Sequence, residues 1–128
     1  MDYNELLEKA KEVSKNSYSP YSKFPVGACV LAESGKTYVG VNVENASFGG
    51  TICAERNAIL NAVANGERKI LAVAIFGQKM KRCAPCGICR QFIDEFRSDK
   101  GVDIILEAED GGIELHTIDE LLPMSFNL

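Results

Sequence analysis

The chain has 128 residues, which is one domain's worth and long enough to bury a core without disulfide staples. At 46% hydrophobic and 25% charged it matches neither a disordered tail nor a fibre. Fourteen Lys and Arg against eighteen Asp and Glu leave a net charge of −4, a poor basis for gripping phosphate backbones, so nucleic acid is not an expected partner. The N-terminus, Met1-Asp2-Tyr3-Asn4-Glu5, has neither a basic n-region nor an apolar stretch, so no signal peptide is expected and the location is read as cytoplasmic. Tyr3, Leu6, Leu7, Ala10 and Val13 recur at helical spacing, and Asn16-Ser17-Tyr18-Ser19-Pro20 breaks that helix. Val26–Ala32 and Lys36–Val43 are strand-like and joined by a hairpin signal at Glu33-Ser34-Gly35. Asn42–Thr51 is polar and Gly-rich, which predicts a loop. From Cys53 a helical pattern returns and stops at Asn65-Gly66. Ile70–Phe76 is the longest wholly apolar run, far short of the roughly 20 residues that cross a bilayer. It reads as a buried central strand, and no membrane partner is expected.

Past the basic loop Gln78–Pro85, Cys86–Phe96 reads as a helix with Ile88, Phe92, Ile93 and Phe96 inward. Asp94, Glu95 and Asp119 read as solvated helix faces. Asp103–Glu107 and Ile113–His116 are strands, antiparallel because Asp110-Gly111-Gly112 is too short for a crossover. Thr117 and Glu120 have capping-box spacing for a last short helix ending at Pro123. The order α-β-β-α-β-α-β-β-α predicts a single α/β domain over residues 1–128. Its expected architecture is a three-layer α/β/α fold around a five-stranded mixed sheet.

The five cysteines, Cys29, Cys53, Cys83, Cys86 and Cys89, are an odd number and argue for metal or catalytic use over disulfides. Cys53-Ala54-Glu55 and Pro85-Cys86-Gly87-Ile88-Cys89 each fall at a predicted helix N-terminus, where free N–H groups and the dipole favour thiolates. Positions i and i+3 put Cys86 and Cys89 on one side, and Cys53 completes a tripod. Three protein ligands on one Zn²⁺ per chain leave a fourth position for water, the arrangement of a catalytic site. Glu55 can reach that water without binding the metal, and Arg56 is available to offset the thiolate charge. Cys29 reads as a core residue and Cys83 as a bystander. His116, the only histidine, reads as a strand-end residue. The competing reading is a structural Cys₄ zinc or iron–sulfur interaction module that uses Cys83 as well.

Cys-x-Glu followed by Pro-Cys-x-x-Cys is the zinc-deaminase signature with cysteine in place of histidine. The whole chain resembles the small homotetrameric cytidine deaminases. The matching stretches include Ser17–Ala28, Asn42-Val43-Glu44-Asn45-Ala46, Cys89-Arg90-Gln91 and Glu120-Leu121-Leu122-Pro123. The resemblance implies hydrolytic deamination of cytidine and 2′-deoxycytidine to the uridines plus ammonia, in pyrimidine salvage. It also implies that Glu55 shuttles protons and that Cys53, Cys86 and Cys89 bind zinc. By the same resemblance Asn42 and Glu44 hold the ribose 3′-hydroxyl, Phe24 packs on the pyrimidine, and Ala54 contributes to substrate binding. Phe126 is expected to reach the site of a neighbouring subunit in a homotetramer. A buried Glu44 carboxylate favours a free sugar hydroxyl, and a 5′-phosphate meets acidic surroundings. Phe48 departs from the family, which very often has tyrosine there near the subunit interface.

Overall fold

A computed structural model describes residues 2–128. Strands β1 (Val26–Ala32), β2 (Thr37–Val41), β3 (Ile70–Gly77), β4 (Asp103–Glu107) and β5 (Ile113–Thr117) form one sheet in the order β2-β1-β3-β4-β5. The β3–β4 pair is parallel and the other three are antiparallel, so the sheet is mixed. Helix α1 (Tyr3–Ser14) covers one face. Helices α2 (Ala54–Ala64), α3 (Gly87–Glu95) and α4 (Ile118–Leu121) belong to the other. These are the three layers expected from the order of elements.

Alternation of side chains feeds two cores. Ala28 and Val30 of β1 with Val73 and Ile75 of β3 face α2 and α3, while Cys29, Leu31, Ala72 and Ala74 face α1. On the α2 side, Ile59, Ile70, Ile93 and Ile104 are essentially inaccessible. Each contributes about 1.5–3 kcal/mol of transfer free energy by that burial. A bulge between Leu31 and Ala32 leaves Leu71 unpaired and lets Leu71 and Ala72 both pack toward α1. Helix α1 starts where the Asp2 carboxylate accepts the Asn4 N–H at 2.9 Å. It is tied to the sheet where the Tyr3 hydroxyl donates to Asp103 at 2.7 Å.

Two glycines set the layer spacing. A Cβ at Gly27 would lie 2.0 Å from the Ala10 carbonyl of α1, and one at Gly40 would lie 2.3 Å from the Ala58 nitrogen of α2. Only the absence of a side chain lets these helices sit directly on β1 and β2. The hairpin at Ser34-Gly35 forms as expected, with Gly35 at φ +91°.

Several local expectations give way to tertiary contacts. Strand β2 stops at Val41 because the Asn42 side chain bonds the Val26 N–H at 3.0 Å and the Phe24 carbonyl at 2.9 Å. The loop that follows is strapped, with Val43 bridging both Tyr18 and Ile52, and contains a 3₁₀ turn at Phe48–Gly50. Ile88 is 66% exposed, not inward, because it sits on the open side of α3 while Cys89 and Ile93 take the core side. Asp94 is buried, not solvated, and pairs with Arg97 at 3.0 Å, which in turn holds Asp119 at 2.8 Å. The capping box at Thr117 is half formed. Thr117 accepts the Glu120 N–H at 3.1 Å, but the Glu120 carboxylate turns to His116 at 2.6 Å. Glu114 holds the other nitrogen of that imidazole at 2.6 Å. The two carboxylates raise the proton affinity of His116, and such an imidazole outcompetes a neutral amide for the Glu120 carboxylate.

The close approach at Gly40 yields a direct test. Gly40→Ala should cost about 1–3 kcal/mol through overpacking against the α2 backbone, read as a lowered thermal midpoint. An unchanged midpoint would mean that α2 can move off β2 without cost.

Candidate active site

Cys53 and Cys86 occupy the N-cap positions of α2 and α3, and neither side chain caps its own helix. Both sulfurs are therefore free to face outward from the helix starts. Since α2 and α3 pack on the same face of the sheet, their N-termini meet, and the Sγ atoms of Cys53, Cys86 and Cys89 all lie within 4.8 Å of one another. Cys86 and Cys89 are 3.4 Å apart, the i, i+3 spacing of one helical turn. Thiolates about 2.3 Å from a tetrahedral zinc ion stand about 3.8 Å apart, so this set of sulfurs fits zinc.

The remaining cysteines are excluded by position. Cys29 is fully buried on the opposite face of the sheet, under α1, where burial pushes its thiol up to about 11. Cys83 packs against Gly77 and the α2-side core, outside the group of three sulfurs, and burial raises it to about 11 as well. The four-cysteine structural module loses its fourth member.

Within the trio, hydrogen bonding from Cys89 pulls Cys53 down to about 5, with help from Arg56 and against burial, while the same bond pushes Cys89 up. Arg56, in the first turn of α2, reaches back to the Cys53 sulfur and the Thr51 carbonyl, both at 3.4 Å. Its Nε is buried with no hydrogen-bond partner among the described residues. Glu55 lies between, 5% exposed. Burial pushes its carboxyl up to about 7. The Cys53 charge adds to that, and its own backbone amide, Arg56 and Cys89 pull the other way. A buried carboxyl that titrates near neutrality beside a metal-ligand set is the property of a proton carrier.

The other sequence candidates gather on two loops. Phe24 is half-buried, with its carbonyl fixed by Asn42. Glu44 is half-buried, not buried, because it sits at a loop surface and accepts the Tyr21 and Ser22 N–H groups, each at 3.0 Å. Ser17 and Ser22, which carried no signal of their own, bond Asn42 and Glu44 from more than twenty residues away in sequence. A cavity of about 400 Å³ lies beside them, lined by Tyr21, Ser22, Glu44, Phe48 and Thr51. A second cavity, of about 580 Å³, runs along α1 and Val39, and neither cavity is lined by a sulfur. Arg90 is a working part of the fold. It donates to the Pro85 carbonyl at 2.7 Å and the Leu121 carbonyl at 2.9 Å, so it ties the cysteine loop to α4. Ala54 is fully buried, main chain and side chain alike. Phe126 is 68% exposed, held by a bond from Gln91 to its carbonyl at 3.0 Å.

Residues 1–104 match the family model of the cytidine and deoxycytidylate deaminase zinc-binding region. The chain belongs to that family. A cytidine deaminase of Sporosarcina psychrophila is 42% identical over 127 residues, 99% of this chain and 93% of the relative. One of Mycobacterium tuberculosis is 34% identical over 128 residues, covering 100% and 92%. The crystal structure of cytidine deaminase from Burkholderia pseudomallei superimposes with a TM-score of 0.90 at 38% identity, covering 98% of this chain and all of that one. That from Mycobacterium tuberculosis gives 0.87 at 33% identity. Membership of this family makes zinc the cofactor, and among the described residues no helix is long and apolar enough to cross a membrane.

The ligand assignment predicts metal content directly. Cys53→Ala, Cys86→Ala and Cys89→Ala should each purify with little zinc, whereas Cys29→Ala and Cys83→Ala should keep about one ion per chain by atomic emission. Zinc lost from Cys83→Ala would restore the four-cysteine module.

Proposed function

We propose that residues 1–128 act as one domain that hydrolyses the exocyclic amine of cytidine and 2′-deoxycytidine, giving the uridines and ammonia. The observation that carries this reading is the trio of sulfurs with the buried Glu55 beside it. Cys53, Cys86 and Cys89 hold the metal. When bound, zinc lowers the pKa of its water from about 15.7 to near 7 and so supplies the nucleophile.

The chain's own groups do the rest. Glu55 accepts a proton from the water, passes it to the pyrimidine ring nitrogen and delivers another to the departing amine. Every proton that leaves water is thereby returned to product. Burial raises the affinity of Glu55 for the proton that it must take from water. Arg56 steadies the charge of the thiolate cluster and does not touch the substrate. Phe24 offers the pyrimidine a flat apolar face, and Ala54 stands between Cys53 and Glu55 at the start of α2. Asn42 and Glu44 take the ribose 3′-hydroxyl, for which their free hydrogen-bonding capacity is suited. One Asn42 N–H is left over after the bond to Phe24, and Glu44 has an open acceptor site. A hydroxyl needs one donor and one acceptor. A 5′-phosphate entering beside Glu44 would meet a carboxylate held in its charged form by the Ser22 hydroxyl and amide, so nucleosides are preferred to nucleotides.

The reading extends to a cytoplasmic homotetramer with shared sites. Phe48, Ile88, Met124, Phe126 and Leu128 expose large apolar surface that a second copy would cover. Phe126 sits on an open tail and does not fold back on its own core. In two-fold symmetric contacts it completes the pyrimidine pocket of a neighbour.

Glu55→Gln should keep zinc and fold yet lose at least about 10²–10⁴-fold in turnover, followed as loss of cytidine absorbance. Turnover within tenfold of the parent would remove Glu55 from the mechanism. Phe126→Ala should raise KM and weaken turnover with zinc retained, on a protein that runs as a tetramer by light scattering. A fully active monomer would end both the shared site and the tetramer.

A further inference from the structure

We propose that Ser22 is the positioning residue for the sugar-binding carboxylate, fixing Glu44 in the orientation that makes the enzyme demand a 3′-hydroxyl. The proposal rests on the reading of Glu44 as the ribose acceptor.

The residues around Glu44 account for nearly all of its hydrogen-bonding capacity. Its Oε1 accepts two backbone N–H groups, from Tyr21 and Ser22, each at 3.0 Å. Its Oε2 accepts the Ser22 hydroxyl. A carboxylate offers about four acceptor directions, so three are filled by the Tyr21–Ser22 segment and one remains, on Oε2. Ser22 supplies two of the three bonds. The cavity of about 400 Å³ is lined by these same residues, Tyr21, Ser22 and Glu44, so the group that Ser22 orients fronts an open space.

The Ser22 oxygen also accepts the Phe24 N–H at 3.1 Å, so one hydroxyl joins the segment carrying the base-packing ring to the carboxylate. The residue between them, Lys23, is held at φ +58°, a left-handed conformation unfavourable for a side chain with a Cβ. Its N–H is fixed to the Ser19 carbonyl at 3.0 Å. The turn thus accepts backbone strain, and its outcome is the convergence of the Ser22 N–H and O–H on one carboxylate.

Without the hydroxyl, Glu44 keeps its two amide bonds through Oε1, but Oε2 is free to rotate away from the cavity. Glutamate is rich in rotamers, and ordering it afresh for each substrate weakens binding. The Ser22 hydroxyl is also the leading cause of the lowered proton affinity of Glu44, with the Ser22 and Tyr21 amides and the charge of Lys23 acting in the same direction against burial. Phe24 does not depend on this hydroxyl alone, since Asn42 holds its carbonyl at 2.9 Å. The loss therefore falls on the sugar and spares the base.

The test compares cytidine with 3′-deoxycytidine on the zinc-loaded enzyme and three variants, with zinc content and circular dichroism confirming the fold. Ser22→Ala should lower kcat/KM for cytidine about tenfold, mainly through KM, the size expected for a bond to a charged group. The value for 3′-deoxycytidine should change by less than about twofold, since that substrate makes no demand on Glu44. Ser22→Thr, which keeps the hydroxyl, should stay near the parent on both. Glu44→Gln should erase most of the preference for cytidine. Equal losses on both substrates with Ser22→Ala, no loss on either, or failure of Ser22→Thr to rescue would each overturn the proposal while leaving Glu44 in place. A preference that survives Glu44→Gln would overturn the reading of Glu44, and the role of Ser22 with it.

Discussion

The meeting of two helix N-termini on one face of the sheet is the constraint from which the rest of the site follows. Three thiolates on a zinc dication leave one net negative charge, which would blunt the metal as a Lewis acid. Each helix N-terminus contributes roughly half a positive charge, and α2 and α3 both begin at the sulfurs. Arg56 adds a full charge at 3.4 Å from the Cys53 sulfur. The two helix ends alone roughly cancel that charge, Arg56 tips the balance to the positive side, and no cation from outside the two helices is needed.

That placement is secured by small residues. Ala54, Ala58 and Ala62 line the buried side of α2, and Gly40 lets the helix backbone touch β2. Larger side chains there would lift α2 from the sheet and carry Cys53 away from Cys86. The same close seating buries Glu55, two residues beyond the cap, and burial is what pushes its carboxyl up to about 7. Core packing and catalytic acidity are in this sense one feature, because the force that seats the helix also strips water from the carboxylate.

The sequence was most informative where a residue's role depends on its own element. The apolar runs of β1 and β3, the turn signals and the cysteine spacing all report local geometry, and the layers and the sulfur trio follow from them. It was least informative where tertiary contacts decide between partners. Asp94 and Arg97 are one turn apart, yet only the burial of Asp94 and the return of Asp119 to Arg97 make them part of a fixed ion-pair cluster. Ile88 fits the apolar stripe of α3 by period, yet the stripe is wider than the core it covers, so its edge stays open. Glu120 has the spacing of a capping box, but His116 competes for its carboxylate. No periodicity could reveal Ser22 meeting Glu44, since the contact joins two irregular loops.

The two halves of the site are held by different physics. The sulfurs and Glu55 are fixed by apolar packing of helices on a sheet, which resists small changes and loses stability when it is breached. Phe24, Asn42 and Glu44 are fixed by directional bonds between two loops, 17–26 and 42–52, with little apolar burial beneath them. Asn42 alone ends β2, fixes the Phe24 carbonyl and receives Val26, so the residue that follows the strand is also the loop's first anchor. A change in that network leaves the packing under the sulfurs untouched. The fold therefore holds the sulfur cluster and the two-loop network by separate means, so a substitution on the loops alters one bond by bond without breaching the other.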